Sequence, residues 1–478
     1  MYNNNAYKLG FENQLEELQN QELEIQGKIP SWLSGSYVLN GSGQNEFKTA
    51  KYNHWFDGLA MLKKFEIRDG KILYSNRFIR SKDYLKNTAS DTISYTTFGT
   101  NSSSFPFYMW EKVLGMAGVM LSDNTSVTIH KFGEDYVALT ELDKAMKFDI
   151  QDLSTLGLYD FQDNFRSGFS TAHPHYDFKR NKIYNLGIKL GLPSNYIIYE
   201  IDPKTKARKI LKKIKTIKAS YSHSFAVTQD YVILSEYSFK INPIHLLFST
   251  KTVSEALYFD DKNPIKFHVI AKDSGEIIRT FESKPTFTFH HVNAYQEGGD
   301  IVLDIASGPD RKIFTDLNLD KIRDPDCFKK KIVTNFERFR LSLNDGKIQS
   351  EIMVSDAFEF PNINYKTQNG LKYNYTYGSS FSEKSDLLYW DALIKVDLTS
   401  QKTIKWSEEN CFVGEPFFIP KPDSELEDEG IVISVVLDST KKQSFLLVLD
   451  AKGFTEIARM YVSHVIPYSF HGQFFPDL

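Results

Sequence analysis

Apolar and polar residues alternate at period two along much of the chain, in short runs closed by tight polar turns, which is the pattern of half-buried strands. One unit recurs: an apolar strand, a turn, then a second strand. It appears at Phe65-Glu66-Ile67-Arg68-Asp69-Gly70-Lys71-Ile72-Leu73, at Phe148-Asp149-Ile150 turning through Gln151 to Ser154, and from Tyr199 to Thr205. It returns from Val269 to Ile277, Phe339 to Gly346, Leu393 to Thr399 and Val448 to Gly453. Seven such hairpins, roughly 50 to 80 residues apart, match the length of a four-stranded propeller blade with its loops. The fold class they predict is all-β, a seven-bladed β-propeller. A generic β-sandwich is the alternative, because strand–turn–strand units occur in any β protein.

Residues 1–28 are polar and acidic and read as a lead-in arm, with a weakly helical patch at Leu15-Glu16-Glu17-Leu18. Residues 29–478 read as one propeller catalytic domain, entered through Ile29-Pro30-Ser31-Trp32-Leu33-Ser34-Gly35. Two stretches, about 101–121 and 239–259, break the hairpin rhythm; they are apolar with few charges and partly helical in pattern. One reading makes them helices packed on the β core as a cap over the top face. The other makes them the apolar rim of a tunnel mouth that dips into a membrane surface.

Composition sharpens this picture. Among 478 residues there are 37 Phe and 26 Tyr, residues that favour strands and also line pockets for flat apolar ligands. A net charge of −4 gives no basic footprint for nucleic acid. Cys327 and Cys411 are the only cysteines, far apart, so neither a disulfide framework nor a thiolate metal site is expected and a reducing compartment fits. Met1-Tyr2-Asn3-Asn4-Asn5 lacks a signal-peptide pattern, and no apolar run reaches the ~18 residues of a membrane span. The expected location is the cytoplasm, with peripheral contact to a membrane through the two apolar stretches.

Four of the eleven histidines share a setting, each beside small or aromatic residues of strand type: His173, His223, His290 and His471. Phe287-Thr288-Phe289-His290-His291 is the clearest case, a strand that presents an imidazole. The intervals between the four are near one, one and three blade lengths, so equivalent positions on different blades would face the propeller axis. Each alone is a satisfied core histidine. Together they can bind a divalent metal of borderline softness. Neutral ligands leave such a metal dipositive; zinc usually takes four ligands, whereas iron(II) prefers six and keeps two positions open.

A metal-bound imidazole needs its other N–H held, often by a carboxylate. Three glutamates stand isolated in apolar strands, where an unpaired charge is costly. They are Glu141 after Val137-Ala138-Leu139-Thr140, Glu359 in Phe358-Glu359-Phe360-Pro361, and Glu415 in Gly414-Glu415-Pro416. Aromatic and proline neighbours tilt Glu359 and Glu415 toward burial; a solvent-facing strand position is the other reading for each.

These stretches together resemble the carotenoid cleavage oxygenase family. The likeness spans nearly the whole chain and adds His54-Trp55-Phe56-Asp57-Gly58-Leu59-Ala60-Met61-Leu62 and Thr171-Ala172-His173-Pro174-His175. Asn76-Arg77-Phe78-Ile79-Arg80 and Tyr95-Thr96-Thr97-Phe98-Gly99-Thr100 are similar to the branch holding animal β-carotene oxygenases and the retinal pigment epithelium isomerase. The resemblance implies a mononuclear non-haem Fe(2+) held by His173, His223, His290 and His471. It implies that Glu141, Glu359 and Glu415 support those imidazoles, that His175 and His291 are neighbours only, and that Phe98 and Thr140 line the iron or the substrate cleft. The branch's animal members carry Pro-Asp-Pro-Cys after the Phe-Gly-Thr stretch. Here Asn101-Ser102-Ser103-Ser104-Phe105-Pro106 follows, so anchoring through that cysteine is not implied.

The activity implied is an iron dioxygenase that splits one double bond of a carotenoid or apocarotenoid with O2 into two carbonyl products, by branch similarity at the centre, giving retinal-type fragments. Three alternatives stay open. A retinoid isomerohydrolase shares the iron site. A stilbene-cleaving dioxygenase would prefer a short tunnel with polar or basic groups. A non-catalytic carotenoid-binding propeller would need neither four histidines nor three glutamates.

Overall fold

The computed structural model describes residues 6–102, 105–116, 119–248, 250–308, 312–324, 331, 333–383, 385 and 389–477. Residues 1–5 of the expected arm, 103–104 and 117–118 of the first apolar stretch, and Cys327 lie outside the described residues, as does the His245 side chain.

Seven antiparallel sheets follow one another along the chain and form a seven-bladed β-propeller. Every hairpin read from the sequence is the outer hairpin of one blade. They are Leu59–Arg68 with Lys71–Phe78, Ala145–Phe148 with Thr155–Leu158, Ser194–Ile201 with Arg208–Thr216, and Ile265–Ala271 with Ile277–Ser283. The remaining three are Asn335–Ser342 with Ile348–Ala357, Ala392–Asp397 with Lys402–Ser407, and Gln443–Asp450 with Glu456–Tyr461. The first turn shows why the local signal works: Asp69 and Gly70 both take positive φ, 52° and 73°, as a tight hairpin with the right twist demands.

The ring closes where the last strand, Ser469–Pro476, pairs with Gly35–Gln44 in the first blade, in register from Gly35↔Pro476 to Asn40↔His471. Chain end and chain start therefore share one sheet. Between blades, buried aliphatic and aromatic side chains mesh, as Tyr37, Phe65, Ile67 and Tyr74 of the first blade do with Ile433, Leu446, Val448 and Met460 of the seventh. Removing that much apolar surface from water is the main stabilising term.

The Leu15–Leu18 patch is not helical; the short 3-10 helix lies earlier, at Ala6–Phe11. Tyr7 and Phe11 of that helix are buried against Trp55, Tyr389, Phe412 and Tyr468. Of the stretches that break the hairpin rhythm, the first contains a helix at Phe105–Met116 and the second contains Pro243–Phe248 and Val253–Ala256. No helix among the described residues is long and apolar enough to cross a membrane.

Candidate metal centre

The innermost strands of the blades are short, broken or bulged, and the chemistry sits in the breaks. His173 lies in the gap between Phe169–Ser170 and His175–Asp177. His223 precedes the two-residue strand Ala226–Val227. His290 occupies a stretch of Phe287–Glu297 where the register shifts, and His471 flanks a shift in Ser469–Pro476. Glu359 opens a bulged strand, and Glu415 stands between Cys411–Val413 and Phe417–Pro420. A bulge re-aims side chains that a regular strand would send to alternate faces.

The four imidazoles converge, with one ring nitrogen from each lying within 4.8 Å of the others. Nε2 of His173 is 2.9 Å from Nε2 of His223, and Nε2 of His290 is 3.2 Å from Nε2 of His471. The opposite nitrogens are held from outside. His223 Nδ1 donates to Glu141 Oε1 (2.6 Å), His471 Nδ1 donates to Glu415 Oε1 (2.7 Å), and His290 Nδ1 donates to Glu359 Oε1. A proton fixed on Nδ1 leaves the Nε2 lone pair free, so three rings are held in the metal-binding tautomer. His173 has no carboxylate partner among the described residues. Burial, helped by the neighbouring imidazoles, holds His173 and His290 well below the ordinary imidazole range, and neutral rings result. Four converging lone pairs with no acidic group among them fit a divalent cation of imidazole affinity.

The carboxylates differ. Glu415 spends both oxygens, since Oε2 accepts from the Gly472 amide at 2.8 Å. Glu141 gathers two donors on Oε1, the second being the Tyr221 hydroxyl at 2.5 Å. Glu359 Oε2 is buried without a partner, and burial pushes its carboxyl up to about 8 against the pull of Thr334 and the Phe360 amide. A dication beyond His290 would draw that proton off again.

The centre opens onto a largely apolar cleft that is open to solvent. His223, His290 and His471 reach its wall; His173 does not. Phe98 and Thr140 both line it, as do Glu141 and Glu359. Phe98 is placed by Asp57, a buried carboxylate that accepts from the Gly99 amide (3.1 Å) and the Thr100 hydroxyl (2.6 Å) in the loop carrying the ring. The space continues outward between Phe105–Met116 and Pro243–Phe248, past Leu190, Met120 and Val253. Trp110, Val113, Val119 and Ile244 stand exposed on these segments.

His175 and His291 turn elsewhere. His175 Nε2 donates to the Phe225 carbonyl (2.9 Å), and His291 sits between the Ser224 and Ser235 hydroxyls. Sequence reasoning missed Tyr221 and most of the aromatic wall: Trp55, Phe56, Phe289, Phe360, Trp390 and Phe470. Tyr221 was within reach, because it stands two positions before His223 and period two puts both on one face.

A family model described as "Retinal pigment epithelial membrane protein" matches residues 11–476. The mouse β,β-carotene 15,15'-dioxygenase is 31% identical, with 98% of this chain and 91% of that protein covered. The mitochondrial carotenoid-cleaving dioxygenase of Mustela putorius furo is 32% identical over 94% of this chain and 93% of its own length. Among solved structures, the cobalt-substituted apocarotenoid oxygenase of Synechocystis superposes with a TM-score of 0.88 at 25% identity, covering 100% of this chain and 99% of that one.

Proposed function

The chain belongs to the retinal pigment epithelial membrane protein family, and from that premise we propose that it cleaves one double bond of a carotenoid or apocarotenoid with O2, giving retinal-type carbonyl products. The observation that carries this reading is four converging imidazoles, three of which reach the wall of one aromatic cleft. His173, His223, His290 and His471 are the ligands we assign, and iron(II) the ion. Bound there, iron supplies the activation of dioxygen, which a closed-shell protein side chain cannot.

The remaining work falls to this chain's own residues. Glu141, Glu359 and Glu415 keep the Nδ1 protons and so aim the Nε2 lone pairs. Phe98, Phe289, Phe470 and the neighbouring rings grip a flat polyene, exclude water, and offer π faces to positive charge developing along it. Thr140 marks the wall position beside Glu141. No general acid or nucleophile is required of the protein. Residues 29–478 act as the catalytic unit, and 1–28 as an arm anchored by Tyr7 and Phe11. The exposed apolar side chains on Phe105–Met116 and near Ile244 are proposed to rest on a membrane surface, from which a water-insoluble polyene enters the cleft.

The test is incubation of iron-loaded protein under air with β-carotene, an apocarotenal, a retinyl ester and a stilbene in separate detergent reactions, with products separated by chromatography. Two iron-dependent carbonyl fragments from a polyene would support the reading and locate the cleaved bond. Turnover of the ester or the stilbene alone would overturn it.

A further inference from the structure

Among the described non-glycine residues, Phe360 is the one whose backbone breaks a rule inside a strand. Of the twelve non-glycine residues with left-handed φ among the described residues, the other eleven lie in turns or connections; Phe360, at φ 49°, lies within Glu359–Asn362. Aromatic residues rarely take this region, and the following Pro361 pushes its predecessor toward extended backbone instead. A conformation so disfavoured persists only where its surroundings hold it, and such positions gather at functional sites.

The register shows what the strain accomplishes. Glu359 pairs with Ser379 and Asn362 with Tyr377, so three steps on one strand span two on the other. One residue is extra, which makes this a β-bulge. The partner strand is adapted to it. Gly378 stands between the two paired positions, and a Cβ there would lie 2.9 Å from the Glu359 carbonyl oxygen and 2.6 Å from the Phe358 ring.

In a regular strand, Glu359 and Phe360 would point to opposite faces. Here both face the axis. Glu359 reaches His290 Nδ1, while the Phe360 ring packs on His290 at 5.4 Å, on His471 at 5.5 Å and on Trp390 at 5.3 Å between centroids. Both side chains are buried.

We propose that Phe360 is a positioning residue: its left-handed backbone forms the bulge that delivers the Glu359 carboxylate to His290, and its ring closes against His290 and His471 in the space the bulge creates. The proposal rests on the reading of these histidines as metal ligands. It has a signature that simple packing lacks. If the backbone conformation matters most, substitutions should rank by tolerance of positive φ, with Gly and Asn above Val and Ile. If only volume matters, Ile and Val should be best and Gly worst.

The experiment measures cobalt(II) affinity and the ligand-field absorption of the cobalt-loaded protein for wild type, F360G, F360N, F360V and F360I, with circular dichroism to show that each is folded. F360G and F360N are expected to bind within about threefold of wild type with an unshifted spectrum. F360V and F360I are expected to bind about 10- to 100-fold more weakly, the loss that follows when a ligand's carboxylate support is removed, with an altered spectrum. Affinities ranked by side-chain volume would overturn the proposal, as would four variants that all match wild type or all lose the metal alike. Wild-type protein that fails to bind cobalt would instead overturn the metal reading beneath it.

Discussion

Replacing glutamate by glutamine at the three supporting positions should cost unequal amounts, and the hydrogen bonds say in what order. Glu415 is buried and accepts from two N–H groups with two different oxygens, His471 Nδ1 on Oε1 and the Gly472 amide on Oε2. Glutamine has one carbonyl oxygen. In either orientation of E415Q, an NH2 group faces an N–H, and one buried donor loses its acceptor. That penalty is about 1–3 kcal/mol. At 1.4 kcal/mol per tenfold, it weakens metal binding about 5- to 150-fold if His471 is the group left unheld. Glu141 accepts both its donors, Tyr221 and His223, on the same oxygen, and its side chain is about a fifth exposed. E141Q can turn its carbonyl toward both and leave its NH2 to water. It loses only the charge, and less than about tenfold in affinity is expected. The assay is competition for cobalt(II) against a chromophoric chelator, run on both variants and wild type. E141Q binding as weakly as E415Q, or more weakly, would refute the reasoning.

Other expectations concern stability and access. Asp83 and Asp123 lie side by side in the core, each backbone amide donating to the other's carboxylate (3.2 and 2.7 Å), and burial with the adjoining carboxyl pushes Asp83 up. A folded carboxyl with a raised pKa holds a proton that the unfolded chain has released, so stability should fall as pH rises from about 4 toward neutrality. D123N, which removes the adjoining carboxyl, should flatten that fall in urea midpoints measured between pH 5 and 8. A Cβ on Gly58 would sit 1.8 Å from Ser42 Oγ and 2.3 Å from Asn45 Oδ1, so G58A should lose about 1–3 kcal/mol in denaturant unfolding. Trp110 and Val113 stand exposed on the helix Phe105–Met116, whose Glu111, Lys112 and Gly115 border the outer part of the cleft; W110S with V113S should lower binding to lipid vesicles while leaving turnover in detergent unchanged.

The outer hairpins were legible because their signals are local. Turn residues such as Asp69-Gly70 and the alternation beside them lie within ten residues of sequence. Apart from the strand that starts at Phe287, the inner strands were harder to read, because two of them, Phe169–Ser170 and Ala226–Val227, are two residues long and others are bulged, too irregular to show a period. The histidines were legible from their strand-type settings, clearest at residues 287–291, together with their blade-like spacing. Which glutamate holds which histidine could not be read at all. Each pair joins different blades across 56 to 82 positions, and only the closed ring brings them together. The cleft wall was hidden for another reason: Trp55 and Trp390 carry the same apolar signature as any core aromatic, and only the tertiary structure separates lining from core.

On the function proposed, the four-histidine cluster is the metal centre at which a polyene is cleaved. The most direct measurement is an anaerobic iron(II) titration of wild-type protein and H290A, followed by air and β-carotene or an apocarotenal, with bound iron and carbonyl products counted per chain. One iron per wild-type chain, with cleavage that rises in step with iron and vanishes with it in a folded H290A, is the predicted result. Cleavage by H290A undiminished from wild type, or wild-type cleavage independent of iron, would contradict the account.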